Sequence, residues 1–346
     1  MEQLSMLGII WFLLWGVLWA VYFLLDGFDL GAAMLMPFVA KNDEQRRRIV
    51  NSMGPFWDGN EVWLITAGGV TFAAFPKVYA VMFSTLYTPL MLLLFALIIR
   101  GVSFEFRSKV ESLRWRKIWD TALVVGSFLP ALLLGVAFAN IFKGIPFDGD
   151  YIFQGNLFTL LNPYGLMGGL LFVLMFLYHG ALWIAIKNDG ELAQRAVRYG
   201  KAIWNALLVI AAAFLIVTYF DTALWNNFLA NPVLLVIPLA AVCGLIGTRL
   251  FLGTGNPWRA WFASSAMIFS VTMFGVIGLF PMLFPSSINP SYSLGIANAA
   301  SSDHSLLIML CVAIVFVPIV IGYQVWVYRT FRHKITADDF KPGQSY

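Results

Sequence analysis

The sequence predicts an all-α integral membrane protein with nine transmembrane helices, its N-terminus outside and its C-terminus cytoplasmic. Three observations carry this. Of 346 residues, 60% are hydrophobic and 12% charged, whereas soluble domains run at about 25% charged. The mean hydropathy is +0.80, and the long uninterrupted apolar runs indicate helices rather than a membrane barrel. The basic residues, finally, fall almost wholly on alternate connections between those runs.

A window of about 20 residues places the helices near 7–39, 52–75, 79–104, 119–142, 164–187, 202–220, 232–252, 258–283 and 305–330. The first, at about 33 residues or roughly 50 Å, must tilt or project from the bilayer. It has no Lys or Arg before it and runs on past Asp26, which argues against a cleaved signal peptide. The odd-numbered connections hold Lys41, Arg46, Arg47 and Arg48; Arg100, Arg107, Lys109, Arg114, Arg116 and Lys117; Lys187, Arg195, Arg198 and Lys201; and Arg249 and Arg259. The tail adds Arg329, Arg332, Lys334 and Lys341. Only Lys77 and Lys143 lie on the even-numbered side, so the positive-inside rule sets the orientation. The net charge of +4 reflects this bias and is no sign of nucleic-acid binding.

The outer connections, residues 142–163 and 284–304, are rich in Pro, Gly, Asn and Ser and read as ordered or semi-ordered caps. The tail after Arg332 is polar and reads as frayed. Phe23-Leu-Leu-Asp-Gly27 resembles Phe176-Leu-Tyr-His-Gly180, and Trp115-Arg116 and Trp258-Arg259 precede the fourth and eighth helices. Duplication would give two four-helix bundles, residues 1–143 and 144–284. An outer loop, a peripheral ninth helix and the tail would follow in 285–346. Chance similarity among apolar strings explains these matches equally well. Cys243 and Cys311 both fall inside spans and indicate neither a disulfide nor a metal site.

Four carboxylates stand where a bilayer disfavours them. Asp26 and Asp29 are spaced i, i+3 and share a helix face, as do Asp58 and Glu61. Each charge costs about 2.5–3.5 kcal/mol on insertion scales, and close pairs repel unless protons or partners relieve them. Asp29 precedes Lys41 by about 18 Å of helix and Asp58 follows Arg48 by about 15 Å, which sets the four at similar depth in the inner half of the membrane. Glu105 sits at the inner end of the third helix, as a cytoplasmic mouth. Two readings stand: a line of carboxylates that conducts protons, or a structural cluster paired with Asn60, Trp63 or a partner's basic residues. Trp57 and Trp63, with Phe56, Phe72 and Phe75, would line a quinone or haem pocket or else form an ordinary aromatic core. Of the three histidines only His179 lies at membrane depth, as a haem ligand or a hydrogen-bonded core residue. Gly27, Gly31, Gly54, Gly59, Gly68 and Gly69 suggest close packing against a sister bundle or a partner subunit.

Asp26-Gly-Phe-Asp-Leu-Gly31, Trp57-Asp-Gly-Asn-Glu-Val-Trp-Leu-Ile65, Phe72-Ala-Ala-Phe-Pro76 and Arg100-Gly-Val-Ser-Phe-Glu-Phe-Arg107 closely resemble subunit II of the cytochrome bd-type quinol oxidases. Weaker similarity continues through Gly126-Ser-Phe-Leu-Pro130, Gly135-Val-Ala-Phe138, Leu161-Asn-Pro-Tyr164 and Pro281 to Pro290, nearly the whole chain in order. The resemblance implies a haem-free subunit of two four-helix bundles and one peripheral helix in a bacterial or archaeal plasma membrane. It implies a partner subunit I bearing two b haems, one d haem and the quinol-oxidising loop, with quinol and oxygen as substrates of the complex. A small single-helix accessory subunit and a structural quinone occur in some members. The positions matching the family's cytoplasmic proton path are Asp29, Asp58 and Glu105, with Asp26 and Glu61 nearby. Some members carry Asp in place of Glu105 and Gln in place of Glu61, so the route differs in detail here.

Without the resemblance, a proton-coupled secondary transporter and a pure assembly scaffold compete. A transporter should break helices at the midplane of both repeats. Here the acids lie in the first half, and Asp221 lies at the outer end of the sixth helix.

Overall fold

The computed structural model describes residues 4–336. Lys341 and the end of the tail lie outside them. Helices α1 (Met6–Val39), α2 (Asp43–Met53), α3 (Trp57–Ala74), α4 (Pro76–Thr85), α5 (Tyr87–Phe106) and α6 (Leu113–Lys143) form the first half. After them come α7 (Leu157–Leu160), α8 (Pro163–Lys187), α9 (Gly190–Asp221), α10 (Trp225–Ala230), α11 (Val236–Gly253), α12 (Pro257–Leu279), α13 (Ile296–Ala299) and α14 (Asp303–Thr330). Two short strands, β1 (Met282–Phe284) and β2 (Leu294–Gly295), pair antiparallel.

Among the described residues, eight helical stretches are long and apolar enough to cross a membrane. They are α1, α5, α6, α8, α9, residues 232–253, α12 and α14. The sequence anticipates nine spans; the one outside these eight is the second, which corresponds to α3, whose 18 residues include Asp58, Asn60 and Glu61.

Local chemistry explains the breaks. The second span was expected from residue 52, but α2 ends at Met53 and α3 starts at Trp57. Pro55 has no N–H to continue the ladder. Arg48 and Asp58 are therefore not on one continuous helix, and a depth counted along helix between them does not hold. Asn42 caps α2 by accepting from the Gln45 N–H, and Asp43 and Glu44 fill its first turn. The third expected span divides into α4 and α5 at Leu86, with Pro76 at the start of α4.

The core runs between α1 and α8. Each contacts the other, α6 and α12; α3 packs on α1, α5 on α6, α9 on α8 and α11 on α12. The axes meet at two glycines. A Cβ on Gly31 would lie 1.7 Å from the Phe176 carbonyl oxygen, and one on Gly180 would lie 2.2 Å from the Ala32 nitrogen. No other residue permits that approach. Away from the basic end, residues 144–156 and 282–299 form an ordered cap. Ile145 bridges to Ser286, Phe147 to Phe153, and Ser286 Oγ donates to the Phe147 carbonyl at 2.7 Å. By contrast α14 is peripheral, with Leu306 its one buried residue.

Candidate functional site

The site starts from one arginine. Arg100 lies inside α5 with its side chain 0% exposed, not in a connection where charge counting puts it. Its Nη2 donates to Asp26 Oδ1 at 2.6 Å and its Nη1 to Glu61 Oε2 at 2.8 Å. A weaker contact of 3.4 Å joins Nη1 to Asp26 Oδ2. α1, α3 and α5 are thus tied at one point, and a guanidinium's fixed fork suits a two-carboxylate clamp. The Phe104 ring, one turn along α5, lies 5.9 Å from the guanidinium carbon.

Asp29, also 0% exposed, is held differently. Asn60 Nδ2 donates to Asp29 Oδ2 at 2.7 Å and to the Leu25 carbonyl at 3.2 Å. Asp29 Oδ1 has no hydrogen-bond partner among the described residues. The cluster thus sets three carboxylates around one cation. Arg100 can balance one negative charge, and the surplus is carried in a dry site unless protons accompany it.

The other expected residues are not in this cluster. Asp58 is exposed in the first turn of α3, where the helix N-terminus favours a carboxylate. Glu105 is exposed on α5, about 140° around that helix from Arg100. Trp57 is half-buried and stacks on Phe104 with ring centroids 5.0 Å apart, between the exposed acids and the buried set. Trp63 is buried and donates through Nε1 to Gln324 of α14 at 3.0 Å. Neither tryptophan lines an apolar cavity of about 200 Å³ among α6, α8, α9, α11 and α12 or one of about 760 Å³ among α1, α3, α4, α5 and α6.

Toward the basic end, Arg107 caps α5 two turns beyond Arg100 on the same face. It donates to Asp120 Oδ1 at 2.6 Å and to Asp43 Oδ1 at 2.7 Å. Arg46 joins Asp120 at 3.0 Å and Arg116 joins Asp43 at 2.8 Å. Burial alone would lower Arg107, yet the hydrogen bonds and charges of Asp120 and Asp43 raise it above the ordinary guanidinium range. Sequence reading missed Arg100 as a site residue, and Asp120 with it. One signal was available: Arg100 falls inside the span expected at 79–104.

A haem does not fit at His179. Its Nδ1 meets Ser264 Oγ at 3.0 Å, its Nε2 meets the Leu24 carbonyl at 3.1 Å, and Trp261 stacks on the ring at 5.2 Å. Both nitrogens are engaged and one face is covered by α12, with Phe28 of α1 edge-on at 6.1 Å. His304 and His333 are exposed. Among the described residues no group of three His, Cys, Asp or Glu side chains is placed to hold a metal.

Fold and site together define a polytopic helical membrane protein that buries an arginine of its fifth helix among carboxylates of its first and third. The chain belongs to the cytochrome bd terminal oxidase subunit II family, whose pattern matches residues 7–331. It is 36% identical over 327 residues to cytochrome bd ubiquinol oxidase subunit 2 of Bacillus subtilis, covering 94% of this chain and 96% of that one. It is 37% identical over 372 residues to cytochrome bd-I ubiquinol oxidase subunit 2 of Escherichia coli K12, covering 99% and 98%. The fold matches the solved bd oxidase of Geobacillus thermodenitrificans with a TM-score of 0.76 at 19% identity, over 94% of this chain and 99% of that chain. The protein is a subunit of a bd-type terminal oxidase, an oxidoreductase complex that implies a subunit I as partner. These matches lend the transporter reading no support.

Proposed function

We propose that this chain braces a haem-bearing subunit I and delivers to it protons drawn from the cytoplasm, in a complex that oxidises quinol and reduces oxygen to water. The relatives' names supply the quinol, and the haems of subunit I supply the oxygen chemistry when bound. One observation carries the proton role: Asp26 and Glu61 share the Arg100 guanidinium beside a third carboxylate, Asp29, held by Asn60, with Asp58 and Glu105 exposed. An excess of intramembrane acids invites protons, and groups that hold protons can pass them on. The cytoplasmic direction follows from the basic residues gathered beyond Arg107. Quinol releases its protons outside, so uptake from inside charges the membrane without a pump.

The topology in this reading has nine spans with α3 among them, N-terminus outside and C-terminus inside, in the plasma membrane of a bacterium. The halves 1–143 and 144–284 form two bundles, and α14 lies at the edge. Gly59, Gly68 and Gly69 of α3 have nothing of this chain within 4 Å of a Cβ built on them, so subunit I or a small single-helix subunit can approach closely there. The groove beside Trp15, Trp19, Phe72 and Tyr79 has the apolar lining that an isoprenoid or acyl chain needs, and a structural quinone would lie there.

Affinity purification with an optical spectrum tests the assembly: co-purifying haem d absorbance is expected, and a haem-free monomer that transports a solute would sink it. Asp58→Asn tests the proton role. With haems in place, oxygen consumption should fall about tenfold or more. Unchanged turnover in that assembled variant leaves a scaffold.

A further inference from the structure

We infer that Tyr328, on the peripheral helix α14, is a positioning residue that aims the Asn60 amide at Asp29. The inference rests on the proton role proposed above.

The geometry fixes which way the amide faces. Asn60 is 1% exposed. Its Nδ2 lies 3.2 Å from the Leu25 carbonyl, which can only accept, so the NH2 group must face α1. The same NH2 then donates to Asp29 Oδ2 at 2.7 Å. Oδ1 points the other way and accepts from the Tyr328 hydroxyl at 2.9 Å. Without that hydroxyl, a buried acceptor is left without a donor, and turning the amide to relieve it breaks the bond to Asp29.

Tyr328 is itself held. Its ring lies 4.6 Å from Phe56, 6.1 Å from Trp183 and 6.4 Å from Phe28. One turn before it, Gln324 accepts from Trp63 and donates to the Gly59 carbonyl at 3.1 Å, bracketing Asn60 in sequence. Just after it, Lys187 Nζ donates to the Phe331 carbonyl and to the His333 carbonyl. An otherwise exposed helix is therefore pinned on both sides of the one hydroxyl it sends into the site. The other charged or titratable groups facing Asp29 are Asp26 on α1, Glu61 on α3 and Arg100 on α5.

The test uses the purified two-subunit oxidase, with haem absorbance reporting assembly and the pH profile of quinol-driven oxygen consumption as the readout. Asp29→Asn is the reference and should alter turnover or its profile. Tyr328→Phe, which removes one oxygen and keeps the ring, should displace the profile's midpoint by about 0.5 unit or more, the scale of one lost neutral donor. Asn60→Ala should do the same, and the double variant should go no further than Asn60→Ala alone. A Tyr328→Phe profile that coincides with the parent's while Asp29→Asn is altered overturns the inference. So do additive displacements, and so does a Tyr328→Phe protein that takes up no haem while Asn60→Ala does. A parent-like Asp29→Asn instead overturns the proton role itself.

Discussion

The first and second halves of the chain hold their membrane-depth polar groups in different ways. Asp26 and His179 occupy the same place in the similar strings that begin at Phe23 and Phe176, and the helices carrying those strings touch at Gly31 and Gly180. Arg100 and Arg249 stand at the same spacing from Pro89 and Pro238. In the first half Arg100 is fully buried and clamped by Asp26 and Glu61. In the second, Arg249 lies 5.5 Å over the Trp204 ring with its Nη1 lacking a hydrogen-bond partner, and His179 is satisfied by a hydroxyl and a carbonyl. Arg100 is thus fully buried where two carboxylates meet it, whereas Arg249 is half-buried against an aromatic face.

The largest expected effect breaks this contrast directly. Arg100→Met should cost about 3–5 kcal/mol, because it strands the buried Asp26 and the half-buried Glu61. Loss of haem absorbance on heating the purified oxidase reads it. Gly180→Ala should come next, at about 1–3 kcal/mol or more, since its Cβ meets α1 backbone and no side chain can yield. The same melting experiment applies. His179→Phe should cost about 1–3 kcal/mol by unpairing Ser264 and the Leu24 carbonyl. It should leave the pH profile of turnover in place; a displaced profile would put the second half in the proton route. Arg249→Met should cost less than about 1 kcal/mol, the value of one cation–aromatic contact. A loss equal to that of Arg100→Met would erase the distinction between the halves. Smallest of all, Gly68→Ala should stay within about 0.5 kcal/mol for this chain. Reduced recovery of subunit I with it would mark that α3 face as covered.

Much of this was legible beforehand. Long apolar runs located α1, α8, α12 and α14 to within a few residues, because a bilayer demands length and hydrophobicity that show in composition. Asp26, Asp29 and Glu61 drew attention by sitting where charge is costly, and two of the three prove fully buried. Reading failed where a rule valid on average met a local exception. Arg100 was counted with loop charges because arginine usually flanks a span; only its partners on two other helices make burial possible. Asp58 was set deep by counting helix through Pro55, where the ladder stops.

By itself, then, the sequence determined the membrane class, the approximate spans, the acidic residues at issue and the family, all of which depend on residue type along one dimension. The tertiary structure decided pairing. Which acid receives Arg100, which receives Asn60, and that Tyr328 reaches Asn60 from across the chain are matters of helix rotation and approach. Those follow from the close contact of α1 and α8 at two glycines and the pinning of α14 at Lys187, contacts between residues distant in sequence that no periodicity encodes.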